Sequence, residues 1–87
     1  MNETTKEIVT EINLLEPNEL QEIEIKLLLE GLYQMYGYDF RGYVRGSIGR
    51  RILNRMKAER LPTITALLEK VLHEPDVLER LLNDFSI

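Results

Sequence analysis

The stretch "NELQEIEIKLLLEGLYQMYG", residues 18–37, decides the fold class. Asn18 is a residue that caps a helix by accepting an early backbone N–H, and Gln21, three positions on, can reach back to close a capping box. Glu19 and Glu22 suit the positive end of the helix dipole. Leu20, Ile23, Leu27, Leu32, Met35 and Tyr36 recur at helical spacing and are expected to form the buried stripe. Gly37 can take the left-handed conformation that ends a helix.

Working outward, "YDF" at 38–40 leads into "RGYVRGSIGRRILNRMK", residues 41–57. If residues 42–60 are helical, Ile48, Ile52, Leu53 and Met56 fall on one side and face the core. Ser47, Arg50, Arg51, Asn54, Arg55 and Lys57 then form a polar, positive ridge shared by no carboxylate, with Glu59 at its edge. Gly42, Gly46 and Gly49 share one side of that helix. Either a neighbouring backbone comes close there, or the regular helix starts only near Ser47. Pro62 breaks the chain. Thr63 or Thr65 can cap a helix that turns Ile64, Leu67, Leu68, Val71 and Leu72 inward. Pro75 suits a first helical position, followed by Val77, Leu78, Leu81, Leu82 and Phe85 on one face. Upstream, Ile8, Ile12 and Leu15 suggest a short leading helix stopped by Pro17. Alternating β-branched runs and Asn-Gly or Asp-Gly turns do not occur. The expectation is an all-α fold, a small bundle of four to five short helices. Residues 1–17 form an N-terminal extension and 18–87 the domain.

The chain has 87 residues, enough for one small domain, and contains no cysteine. Its start is polar and acidic, unlike a signal peptide, and its longest apolar run is Leu27–Leu29. A cytoplasmic location without membrane insertion is expected. The net charge of −4 hides an asymmetry: residues 41–60 hold seven basic residues against Glu59, and the remainder holds four basic and fourteen acidic ones. Such a concentration points to a surface that meets anions, the bland alternative being a solvated helix face.

Catalytic and metal-binding signatures are missing. His73 is the single histidine and reads as a helix-terminal surface residue. Ser47 and Ser86 have no candidate base nearby in sequence. "GYVRGSIG" lacks the GK[ST] ending and preceding strand of a phosphate loop. The tyrosines at 33, 36, 38 and 43 are expected at the core boundary with wetted hydroxyls.

From Gly37 onward the chain resembles the N-terminal helical domain of the CheR-type chemotaxis receptor methyltransferases. The resemblance rests on Gly37, Asp39–Phe40, Tyr43, Arg51–Ile52, Arg55–Met56, Pro75, Leu78, Leu81–Leu82 and Ile87 in series, and covers roughly residues 18–87. It implies a parent enzyme that transfers a methyl group from S-adenosylmethionine to receptor glutamates. The catalytic α/β domain of that family would follow Ile87. This stretch alone would then hold no catalytic residue, no metal and no cofactor, and be inactive. The resemblance further implies that the domain covers the active-site cleft and holds the acidic cytoplasmic methylation helices of chemoreceptors. The residues carried over are Arg51 first, then Arg55 and Lys57, with Arg50 and Arg45 beside them. Two departures stand out: Val44 replaces a lysine frequent in the family, and Glu59–Arg60 stand where a glycine is common. Competing readings are a stand-alone regulatory module that binds a protein or an anionic nucleotide, and a nucleic-acid-binding domain. The acidic remainder of the chain argues against the last.

Overall fold

A computed structural model describes residues 16–43 and 46–86. Among the described residues four α-helices follow one another: α1, Glu19–Tyr36; α2, Ser47–Ala58; α3, Ile64–His73; and α4, Pro75–Phe85. A 3₁₀ turn, Arg41–Tyr43, lies between α1 and α2, and no strand occurs among the described residues. The all-α expectation holds. The leading helix expected around Ile8, Ile12 and Leu15 lies outside the described residues, as do Val44, Arg45 and Ile87.

The start of α1 follows from its sequence. The Asn18 Oδ1 accepts from the Gln21 N–H at 2.8 Å, and the Gln21 Oε1 accepts from the Asn18 N–H at 3.0 Å. Gly37 ends the helix at φ 79°, its N–H donating to the Tyr33 carbonyl. The buried face is not the expected one. Ile25, Leu28, Leu29 and Leu32 are wholly buried, whereas Leu20, Ile23 and Leu27 are 65, 56 and 52% exposed and Met35 is exposed as well. Of the expected stripe, Leu32 is buried and Tyr36 partly so. Apolar residues surround α1 on nearly every side, so periodicity alone does not fix its rotation; α3, its main packing partner, does. Gly31 lies where α3 comes close, since a Cβ there would sit 2.9 Å from Leu68.

The other helices bury the expected faces. Ile48, Ile52, Leu53 and Met56 of α2, Ile64, Leu67 and Val71 of α3, and Val77 and Leu81 of α4 join the α1 residues in one core. Leu68, Leu78 and Phe85 pack at its edge. The Thr63 hydroxyl accepts from the Ala66 N–H, and Pro75 opens α4. Of the two readings of the basic-segment glycines the later helix start is met, and what comes close at Gly49 is side chains, not a neighbouring backbone. The regular helix starts at Ser47, after Gly46. Gly49, inside it, faces Pro17 and Ile25, and a Cβ there would meet them at 3.1 and 3.2 Å.

Two polar features were not legible beforehand. Glu24 is buried in α1, and its Oε2 accepts from the Thr65 N–H at 2.8 Å and from the Thr65 hydroxyl. A carboxylate is thereby placed on the free N–H groups that open α3. The Tyr36 hydroxyl donates to the Val71 carbonyl at 2.9 Å at the other end of α3, so it is bonded rather than wetted. Tyr33, Tyr38 and Tyr43 are exposed, not boundary residues.

After α2, the Leu61 N–H donates to the Met56 carbonyl and the Arg60 N–H to that of Lys57. This double bond pattern needs a left-handed residue between them, and Arg60 supplies it at φ 58°. Glycine is the usual occupant of such a position; a side chain there costs roughly 1–2 kcal/mol. Replacing Arg60 by glycine is therefore expected to raise stability by about 1 kcal/mol, read as a higher denaturant midpoint. A lower midpoint would show that the Arg60 side chain makes a compensating contact.

Candidate anion-binding face on the basic helix

The basic residues of α2 and its flanks do not form one uniform ridge. Arg41, in the turn before α2, is held by its neighbours. Its Nε and Nη2 donate to the two Asp39 oxygens at 2.9 and 3.1 Å, and its guanidinium lies 3.6 Å from the Tyr33 ring centre. That pairing holds the Asp39 carboxyl below its usual range.

Arg55 is the centre of a network. Its Nε and Nη2 donate to Asp84 Oδ2 and Oδ1 at 2.6 and 2.9 Å, and its Nη1 donates to Glu59 Oε2 at 3.1 Å. Arg80, on α4, grips the same Glu59 through Nε and Nη2 at 2.8 and 3.0 Å. The side chains of Arg55 and Glu59 are only 19 and 16% exposed. The carboxylate-free ridge expected at this point is therefore corrected. Glu59 does not stand aside at an edge, and Asp84 reaches over from the end of α4. With three bonds to two carboxylates, Arg55 locks α2 to α4 instead of facing a partner.

Hydrogen bonds from Arg80, then from Arg55, hold the Glu59 carboxyl below its ordinary value of 4.5, against the upward push of desolvation. Because the folded value lies below the unfolded one, protonation penalises the folded state. The stabilisation from Glu59 is full above about pH 4.5 and is lost as pH falls through the lower folded value. Melting temperature is expected to drop from about pH 5 downward, and less steeply in Glu59→Gln. Equal slopes would show that the network does not couple to folding.

Arg51 behaves differently. Its Nη1 donates to the Asp84 carbonyl at 3.0 Å and, more weakly, to the Phe85 carbonyl at 3.4 Å. These are the carbonyls at the end of α4, whose partial negative charge favours a cation. Both acceptors are neutral, and no carboxylate pairs with Arg51 among the described residues. Its side chain is held in place by these carbonyls, and no full negative charge among the described residues pairs with it. It lines an open pocket of about 360 Å³ together with Asp39, Phe40, Tyr43, Ser47, Ile48 and Phe85. Phe40 and Phe85 meet edge to face across it, 5.1 Å between ring centres. Arg50, half exposed, donates to Glu16 at 3.1 Å, and Glu16 is itself largely exposed. Such a pair exchanges readily with an external carboxylate. Lys57 is exposed on the same helix. The structure thus brings Arg50 and Arg51 to one end of α2, and removes Arg55 into the fold.

The family model described as "CheR methyltransferase, all-alpha domain" matches residues 23–86. The chain belongs to this family. It is 46% identical over 66 residues to a Pseudomonas putida protein described as "Putative methyltransferase Cher3". That alignment covers 76% of this chain and 24% of the relative, so the chain spans about a quarter of the relative's length. No solved structure matches it. The CheR all-alpha match takes in all of α2, α3 and α4 and most of α1, and begins after Leu20. Among the described residues no helix is long and apolar enough to cross a membrane. Nor does any group of three or more His, Asp or Glu among them suit a metal ion.

Proposed function

We propose that this CheR-type helical domain is the substrate-recognition and cleft-covering part of an S-adenosylmethionine-dependent protein-glutamate methyltransferase acting on chemoreceptors. Family membership supports the enzyme class. The observation that carries the substrate side is Arg51: a guanidinium fixed by helix-end carbonyls, with its positive charge left over for a partner. An acidic receptor helix laid along α2 would meet Arg51 first and Arg50 next, with Lys57 further along the same helix. Arg45 belongs to this proposal through the resemblance alone. Arg55 acts as a positioning residue, holding α4 so that its last carbonyls orient Arg51.

The described residues supply no strand for the α/β crevice in which a nucleoside cofactor usually sits. No cofactor site is assigned to them and no chemical step runs through them. Their part is electrostatic: to attract and orient an acidic helix. Exposed ion pairs contribute about 0–1 kcal/mol each, enough to steer a substrate that must also leave. Methylation neutralises the target glutamate, so product is held less firmly than substrate.

Titration of the chain with a glutamate-rich receptor peptide tests this. Arg51→Gln is expected to weaken binding about fivefold, equivalent to about 1 kcal/mol, while helicity is kept. The glutamine-substituted peptide is expected to bind more weakly than the glutamate form. Unchanged affinity in Arg51→Gln, or equal affinity for both peptides, would remove the basis of the proposal.

A further inference from the structure

We propose that the pocket beside Arg51 takes an apolar side chain of the acidic helix, one turn away from the carboxylate that Arg51 receives. This rests on the acidic-helix reading above and adds an apolar determinant to it. Three separate parts of the fold bring the walls together. The turn before α2 supplies Phe40 and Tyr43, α2 supplies Ile48 and Arg51, and the end of α4 supplies Phe85. Phe40 and Phe85 pack against the core and meet edge to face, and the Phe40 and Tyr43 rings lie 6.4 Å apart. Tyr43 is the telling residue. It is 62% exposed and lies outside the core. The turn that carries it is closed by backbone, the Tyr43 N–H donating to the Phe40 carbonyl at 2.9 Å, so its ring is not needed there. An aromatic wall that the fold does not use, standing on an open pocket, is what a docking site presents.

The charges of the walls say what carries the apolar group. Arg51 is a cation of the pocket, and its acceptors are neutral carbonyls. Asp39, the acid on the wall, is already paired with Arg41 through two bonds. A partner bearing a carboxylate is thereby favoured over a cationic or a purely apolar one. The size agrees. The pocket of about 360 Å³ is about 9 Å across, and residues four apart on a helix share a face at a separation of roughly 6 Å. A glutamate on Arg51 and a leucine four residues from it therefore fit together, whereas glutamate alone leaves the rings in water. Helices that bind in grooves are held in this way, by anchors spaced at i and i+4.

The test uses fluorescein-labelled helical peptides of equal charge, with glutamate at every seventh position and alanine elsewhere on that face. A single leucine stands four residues before a glutamate, four after it, or two after it on the opposite face. In anisotropy titrations of the chain, one of the two four-residue peptides is expected to bind at least about fivefold more tightly than the all-alanine peptide, and the opposite-face control is expected to show no gain. In Tyr43→Ala the leucine advantage is expected to fall below about twofold with helicity kept. An advantage shared by the control, or undiminished in Tyr43→Ala, overturns the inference. No leucine advantage, while Arg51→Gln still weakens every peptide, overturns the inference alone. Unchanged binding in Arg51→Gln overturns the acidic-helix reading, and the inference with it. The unmodified chain gives an independent reading by NMR. The ring signals of Phe40, Tyr43 and Phe85 are expected to shift with the leucine peptide beyond any shift with the alanine one, and equal shifts overturn the proposal.

Discussion

Ile52→Ala is expected to lower the stability of the domain by about 2–5 kcal/mol, the range for deleting a buried branched side chain and leaving a cavity. Ile52 is wholly buried in the middle of α2, between Ile48 and Met56 on the same face. A domain of this size has roughly 5–10 kcal/mol of stability in total. The loss therefore takes a large fraction of it, and the thermal midpoint is expected to fall by more than about 10 °C. Asn54→Ala, two positions along and exposed, is expected to change stability by less than about 0.5 kcal/mol. The contrast is a direct test of the rotation of α2. If the two variants melt alike, the basic residues do not face outward and the anion-binding proposal loses its geometry.

Arg55→Ala is the second large effect, at about 2–3 kcal/mol. An exposed ion pair would give much less. Here three short bonds link a largely buried guanidinium to two carboxylates, and its removal leaves Asp84 without its cation at a part-buried position. Glu59 keeps Arg80, so the damage falls mainly on the α2–α4 contact. Arg55→Lys keeps the charge and loses the fork, and is expected to recover about half of the loss. A double-mutant cycle with Asp84→Ala is expected to give a coupling above about 1 kcal/mol. If Arg55→Ala instead melts normally and binds acidic peptide more weakly, Arg55 faces the partner and the split between structural and partner-facing arginines is wrong. Arg51→Gln is the reciprocal case, a small effect on melting and a larger one on binding.

The candidate face was only half legible in the sequence. Seven basic residues within residues 41–60 mark a positive segment without any structure. Their individual fates depend on partners distant in sequence. Asp84 lies 29 residues from Arg55, and the α4 carbonyls that hold Arg51 lie 33 and 34 residues away. Spacing along one helix cannot show which guanidinium meets a carboxylate and which meets a neutral carbonyl. A hint was present in Asp84 at the end of a helix expected to pack nearby, but α4 had first to be placed beside α2. Glu24 was hidden for the same reason, since its partner Thr65 lies 41 residues on. The resemblance drawn on Asp39–Phe40, Arg51–Ile52 and the α4 leucines held, since the CheR all-alpha family model matches residues 23–86.

The sequence by itself determined most of the elements: the cap and stop of α1, the break at Pro62, the start of α4 at Pro75, and which faces of α2, α3 and α4 are apolar. Those properties are local, set by backbone donors, by proline and glycine geometry, and by side-chain spacing within one or two turns. Only the tertiary structure decided the rotation of α1 and the division of labour among the arginines. A helix with apolar residues on nearly every side has several faces of similar burial energy, and the neighbour that packs closest selects one. An arginine is structural or available according to what lies a few ångströms from its tip, and here that is brought by another helix.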